Sequence, residues 1–337
     1  MRRILVTGGA GFIGSNFVRM VLGEHSDCFV VNLDKLTYAG NLENLAGFAD
    51  HPNHKFVKGD ICDGVLVEKI IDEYQVGSII NFAAESHVDR SITEAKVFIE
   101  TNVTGTLTLL EAARDKELER FVQVSTDEVY GSLGVEGKFT EQTPLSPNSP
   151  YSASKAAADH LVKAFGHTWG LKYNITRCSN NYGPYQFPEK LIPLMINNAS
   201  NDKELPVYGD GLYVRDWIYV YDHCTAIWKV LMESPANEVY NIGGCNEKSN
   251  LSVIEQILDK LGKPMSLVRH VTDRPGHDRR YAIDASKIMS ELGWSPSVVF
   301  EDGLARTVDW YLENEKWLEN IVSGDYQKYY EEMYGGR

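Results

Sequence analysis

Apolar residues fall in two rhythms along this chain. Through about residue 180, short apolar runs near 3–7, 28–33, 54–58, 77–82, 120–125 and 172–178 alternate with stretches of helical spacing near 12–24, 63–74, 93–116 and 151–170. Short strands separated by helices predict a parallel sheet covered on both faces, a doubly wound α/β fold. After residue 180 the rhythm becomes irregular. Asn180-Asn181-Tyr182-Gly183-Pro184 is a turn cluster, and 205–208 and 217–220 are strand candidates. Helices are predicted over 222–233, 250–261, 284–292 and 302–315. Glu238-Val239-Tyr240-Asn241-Ile242, followed by two glycines, predicts a strand that returns to the sheet. The expected organisation is a nucleotide-binding domain over 1–180 and a smaller, mainly substrate-binding lobe over 181–337.

The first strand gives this pattern a chemistry. Arg3-Ile4-Leu5-Val6-Thr7 runs into Gly8-Gly9-Ala10-Gly11-Phe12-Ile13-Gly14, and a helical pattern follows. A glycine turn between strand and helix lets the backbone approach a pyrophosphate, and the helix N-terminus supplies N–H groups and partial positive charge. The second strand ends in Asp34, twenty residues after Gly14. There a carboxylate meets the adenosine ribose hydroxyls and repels a 2′-phosphate, which favours NAD over NADP; the adjacent Lys35 weakens that choice slightly. The fold is therefore read as Rossmann-like. Asp60, at the end of the third strand, fits an adenine contact and a helix cap equally well.

The fifth strand ends in Ser125-Thr126-Asp127-Glu128, and Tyr151-Ser152-Ala153-Ser154-Lys155 follows about two dozen residues later. Tyr151 and Lys155 share one helix face. An ammonium there would lower a phenol pKa from its usual value near 10, so Tyr151 could take a hydroxyl proton as NAD is reduced. For a hexose oxidised at C4, two carboxylic acids with separated pKa values would suit a subsequent elimination. One removes the proton that a C4 ketone acidifies at C5, and the other protonates a departing C6 hydroxyl. A surface Tyr/Lys pair and a helix-start role for the carboxylates are the plain alternatives. Asp273-Arg274-Pro275-Gly276-His277-Asp278-Arg279-Arg280-Tyr281 fits either a phosphate-binding loop or a salt-bridged surface loop.

Composition narrows the class. A net charge of −14 argues against a general nucleic-acid or membrane-surface role. No apolar run of about 18 residues is available to span a bilayer. The five cysteines, Cys28, Cys62, Cys178, Cys224 and Cys245, lack any C-x-x-C spacing and fit a reducing cytoplasm. His87 and His277 have no partner at metal-ligand spacing, so no metal is expected.

Together these motifs resemble the extended short-chain dehydrogenase/reductase superfamily in its nucleotide-sugar branch, and the Thr-Asp-Glu triplet narrows the resemblance to the dTDP-glucose 4,6-dehydratases. It extends over nearly all 337 residues. It includes Asp34-Lys35-Leu36-Thr37-Tyr38-Ala39-Gly40-Asn41, Ala83-Ala84-Glu85-Ser86-His87-Val88-Asp89-Arg90-Ser91, Pro188-Glu189-Lys190-Leu191-Ile192-Pro193 and Arg215-Asp216-Trp217. The resemblance implies that Tyr151, with Lys155, is the base for C4 oxidation, Asp127 the acid at C6 and Glu128 the base at C5, with Thr126 beside the C4 oxygen. It implies an NAD site from Gly8, Gly11, Phe12, Ile13, Gly14, Asp34, Lys35, Leu36, Thr37, Asp60, Ile61, Ala83, Ala84, Ser86, Tyr151, Lys155 and Asn181. Around the nucleotide sugar it implies Ser86, Thr126, Asn180, Lys190, Leu191, Pro206, Tyr208, Arg215, Asn250, Asp273, Arg274 and His277. A homodimer through the helices at 93–116 and 151–170 is also implied. Two local departures from the pattern are Tyr221, where an acid is expected, and Gln186, where His is common. The rival readings are a C4 epimerase on the same scaffold and a catalytically silent NAD-binding protein.

Overall fold

A computed structural model describes residues 1–273 and 276–322. The chain runs β1 (Arg2–Thr7), α1 (Phe12–Glu24), β2 (Cys28–Asp34), β3 (His54–Lys58), α2 (Gly64–Tyr74), β4 (Ser78–Asn81), α3 (Val88–Thr93), α4 (Ala95–Phe98), a π-helical segment (Ile99–Gly105) and α5 (Thr106–Asp115). Then come β5 (Arg120–Thr126), a 3₁₀ turn (Asp127–Tyr130), α6 (Pro150–Trp169), β6 (Tyr173–Cys178), β7 (Asn180–Tyr182), α7 (Leu191–Ser200), β8 (Leu205–Tyr208), β9 (Val214–Tyr219) and α8 (Val220–Glu233). The described chain ends with β10 (Glu238–Ile242), β11 (Glu247–Ser249), α9 (Asn250–Leu261), β12 (Val268–Val271), α10 (Ser286–Leu292), α11 (Phe300–Glu313) and α12 (Glu315–Val322).

Seven strands form one sheet in the order β10-β6-β5-β4-β1-β2-β3, every pair parallel. Alternate side chains feed two cores. Ile4 and Val6 pack with Phe17, Val18 and Ile227 on one face, and Leu5 packs with Ile70, Leu109 and Val162 on the other. Each fully buried aliphatic side chain contributes about 1.5–3 kcal/mol. The order reverses between β1 and β4, and there the strand ends open the crevice that binds ligands in such sheets. Beyond β6 the chain builds a third core from Tyr182, Ile192, Trp217, Ile254, Phe300 and Tyr311. Two small sheets, β11-β9-β7 and β12-β8, accompany it.

β7 forms inside the expected turn cluster, β11, β12 and α12 have no counterpart in the sequence expectation, and two further departures concern helices. The single helix predicted over 93–116 begins earlier, at Val88, and is broken. His87, an uncommon cap, accepts from the Arg90 amide, and Glu94 leaves helical geometry at φ −132°, ψ 51°. A π-helical segment follows, where the Asn102 side chain turns out to bond both backbone groups of Glu85. α7 was not anticipated. Its sequence LIPLMINNAS is buried at eight of ten positions and shows no amphipathic stripe to read.

Candidate active site

The glycine turn is packed too closely against its own backbone to carry side chains at Gly8 and Gly14. Gly8 sits at φ +68°, and a Cβ there would meet the Ala83 amide nitrogen at 2.7 Å. A Cβ on Gly14 would lie 2.2 Å from the Gly8 carbonyl oxygen. No side chain caps the first turn of α1, so its amides are left for an anionic ligand. At the end of β2, Asp34 accepts from the Ala10 amide at 2.9 Å and from the Leu36 amide at 2.8 Å. Burial pushes its carboxyl up, and those two amides oppose the shift. Lys35 pairs with Asp60 at 2.7 Å. The cap of α2 is Asp63, which accepts from the Leu66 amide, so Asp60 is not the helix cap.

These groups line a cavity of about 300 Å³. Gly8, Gly11, Phe12, Ile13, Gly14, Asp34, Lys35, Thr37, Asp60, Ile61, Ala83, Ala84, Ser86, Tyr151, Lys155 and Asn181 border it, together with Thr126, Asp127, Glu128, Asn180 and Lys190. Leu36 stands behind the lining, packed on the core at φ +57°. A cleft with a glycine turn after one strand and a buried acidic residue at the end of the next fits NAD. Cys178, Ser179, Gln186, Phe187 and Glu189 also line the cavity. The sequence alone gives Glu189 no role. It lies buried beside Tyr38 at 3.0 Å, Arg90 at 3.5 Å and His87 at 4.0 Å.

The reactive groups meet at the end of β5. Thr126 caps the 3₁₀ turn by accepting from the Glu128 amide at 3.2 Å. Asp127 is 1% exposed. Burial first, then the charges of Glu128 and Asp216, hold its carboxyl well above the usual range, against an opposing pull from Arg215. That shift favours the proton-bearing form, the form a general acid needs. α6 starts on a capping box between Ser149 and Ser152 with Pro150 in its first turn, which fixes where Tyr151 and Lys155 emerge. Lys155 donates to the Val124 carbonyl at 2.7 Å, and burial lowers its pKa. The expected lowering of the Tyr151 pKa is not found: burial and the nearby Glu128 raise it well above its usual value. In the protein alone Tyr151 is a phenol.

The remaining substrate candidates form a second cluster. Tyr213 stacks on His277 with ring centroids 3.8 Å apart and donates to the Asp273 carboxylate, which also meets His277 Nδ1 at 2.7 Å. The Tyr208 ring lies 6.0 Å from His277, and Pro206 precedes it on β8. Asn250 donates its amide to the Tyr213 carbonyl at 3.0 Å. Arg215 donates to the Asp278 carbonyl at 2.8 Å and lies 4.4 Å from the Tyr281 ring. Leu191 opens α7 directly after Lys190. Arg274 lies outside the described residues. Of the two departures, Gln186 lines the cavity and donates to the Asn181 carbonyl at 3.0 Å. Tyr221 is a surface residue bonded to Glu24 at 2.9 Å. Among the described residues no group of three or more His, Cys, Asp or Glu could hold a metal ion.

Residues 5–307 match the family model described as GDP-mannose 4,6 dehydratase. The dTDP-glucose 4,6-dehydratase of Xanthomonas campestris pv. campestris (strain B100) is 57% identical, over 96% of this chain and 97% of its own. The crystal structure of dTDP-glucose 4,6-dehydratase from Bacillus anthracis str. Ames, in complex with NAD, is 55% identical with a TM-score of 0.90, covering 95% of this chain and 100% of that one. That of the Streptomyces venezuelae enzyme with NAD and TDP bound is 54% identical with a TM-score of 0.92, covering 95% and 99%.

Proposed function

The chain belongs to the dTDP-glucose 4,6-dehydratase family, and we propose from that membership how its own residues divide the reaction. The activity is NAD-dependent conversion of dTDP-glucose to dTDP-4-dehydro-6-deoxy-glucose and water. NAD, when bound, would supply the hydride acceptor for C4 and the hydride donor for C6. The first turn of α1 and Asp34 would hold its pyrophosphate and adenosine ribose. Lys155 would hold the nicotinamide ribose.

Tyr151 would have to give up its own proton when the cofactor is bound, and its phenolate oxygen then takes the proton of the C4 hydroxyl, with Thr126 Oγ1 beside the same oxygen. The resulting ketone acidifies C5, and the Glu128 carboxylate removes that proton. Asp127 gives its proton to the C6 hydroxyl, which leaves as water, and Glu128 later returns a proton to C5. The observation that carries this division is the pair of unlike carboxyls on one short turn. Asp127 is buried with its pKa raised, and Glu128 is only partly buried. A C4 epimerase has no use for that pair.

The second cluster, with Tyr208, Arg215, Asn250, Asp273 and His277, would grip the nucleotide diphosphate. The lobe after residue 180 would thus carry the substrate and the first 180 residues the cofactor, with β10 returning to the cofactor side. Two copies would pair through the helical run from Val88 to Asp115 and α6. The exposed apolar side chains Ile92, Val97, Ile99 and Trp169 support that reading. Five unpaired cysteines support a reducing, cytoplasmic setting. No helix of the described residues is long and apolar enough to cross a membrane.

The test is product identification by NMR after incubation with dTDP-glucose, UDP-glucose and GDP-mannose in parallel. A 4-keto-6-deoxy product from dTDP-glucose is expected. A C4 epimer, or no product, would overturn the assignment. Glu128→Gln should still oxidise C4 but stall before loss of water, and unimpaired dehydration would remove Glu128 from its role.

A further inference from the structure

We infer that Arg177 is a positioning residue that holds the acid/base turn and the Tyr151/Lys155 helix in one register. The inference rests on the roles proposed above for those two elements. Arg177 lies on β6 with 1% of its surface exposed, behind the site and not in its lining. Its Nε donates to Asp159 Oδ2 at 2.9 Å, and Asp159 is fully buried. Asp159 stands four residues beyond Lys155 and eight beyond Tyr151, on the same face of α6.

The other side of the guanidinium reaches the acid/base turn. One Nη donates to the Tyr130 hydroxyl at 3.0 Å. Tyr130 is the last residue of the 3₁₀ turn that begins with Asp127 and Glu128. Its hydroxyl donates onward to Asn241 Oδ1 at 2.7 Å, and its ring stacks on Phe139 with centroids 4.9 Å apart. Three buried side chains, Tyr130, Arg177 and Asp159, therefore join the turn that eliminates water to the helix that oxidises C4.

Stability alone does not account for this path. A lone buried ion pair loses hydration that its attraction barely repays, and an apolar pair of equal volume would pack as well. One Asp159 oxygen and one Arg177 nitrogen have no hydrogen-bond partner, so the pair is not saturated as a pure stabilising contact would be. Its planar, directional geometry supplies orientation.

Tyr130→Phe tests the link, since it deletes one hydroxyl and keeps the ring on Phe139. The holoenzyme variant is compared with wild type in single turnovers of dTDP-glucose quenched and analysed by mass spectrometry. Expected are a KM close to wild type, full cofactor content, a kcat lower by about ten- to a hundredfold, and accumulation of the oxidised sugar that has not lost water. A folded Tyr130→Phe protein with wild-type kcat and no accumulation overturns the inference. If that variant does not fold, Arg177→Lys decides on the same readout, because it keeps the charge for Asp159 but not the fork that reaches Tyr130. Wild type run alongside separates the two levels. Failure of wild type to release the 4-keto-6-deoxy sugar would sink the functional reading itself, whereas a normal wild type beside a normal variant would sink only the role of Arg177.

Discussion

Lys155 Nζ donates to the main-chain carbonyl of Val124 at 2.7 Å, fastening α6 to β5 two residues before Thr126. The ammonium thus has a fixed address even though burial works against its charge. Lys155→Met should leave the Val124 carbonyl unpaired, a cost of about 1–3 kcal/mol. Removing a buried charge offsets part of that cost. Melting temperature should therefore move little, while C4 oxidation falls by about a hundredfold or more. Stopped-flow absorbance of the reduced cofactor reads the oxidation directly, and an unchanged rate would exclude Lys155 from the proton chemistry.

Asp127 should trade stability for function. Its pKa in the folded chain is raised, so between the ordinary carboxylate value near 3.9 and that raised value the folded state holds a proton the unfolded state has released. Folding is then opposed increasingly as pH rises through this window, and the group's full contribution is present only below it. Asp127→Asn should melt higher than wild type at pH 7 and equal to it near pH 3, while losing dehydration. Thermal unfolding at the two pH values checks the sign, and a lower melting point at pH 7 would contradict it.

Gly14→Ala should abolish cofactor retention. The new methyl would lie 2.2 Å from the Gly8 carbonyl oxygen, and the crowding atoms on Gly8 and Gly9 are backbone that cannot swing aside. The purified variant should show no bound dinucleotide by its absorbance spectrum, with dTDP binding by calorimetry preserved. Stoichiometric dinucleotide in that variant would refute the glycine-turn geometry.

His223 should govern part of the acid sensitivity. It is fully buried, shares a 2.8 Å bond with the Asn181 amide oxygen, and burial depresses its pKa to about 3. A depressed histidine contributes its full stability above the unfolded pKa near 6.5. That contribution is lost as pH falls toward 3, because the unfolded chain takes up a proton that the folded chain refuses. His223→Gln should flatten the decline of denaturant midpoint between pH 6.5 and 4, and a decline identical to wild type would show that other groups set it.

The parts that could be read in advance were those with a period or a punctuation mark. Strands β1 to β6 are short apolar runs between amphipathic helices, and the glycine turn, Asp34 and the Tyr151/Lys155 pair sit at fixed offsets from them. The segment from Val88 to Asp115 was misread because its breaks are tertiary: His87 is an unusual cap, and Asn102 opens a π-helical segment to reach Glu85. The direction of the Tyr151 shift was misread for a related reason. Helical spacing places Lys155 on the same face, but only the fold aims its ammonium at Val124 and buries the phenol beside Glu128. Glu189 and Arg177 carry no periodic signal at all, since their meaning comes from partners far away in sequence.

The return of Glu238–Ile242 to the main sheet governs how the chain can be cut. β10 pairs with all five residues of β6 from Asn174 to Cys178 and shields them from solvent on that side. A fragment ending at residue 180 would bare a straight row of amides and carbonyls on a strand buried along its whole length, a template for another copy to add to. Such a fragment should aggregate and not fold as a free dinucleotide module. Five residues of the later half are hemmed into the fabric of the earlier one.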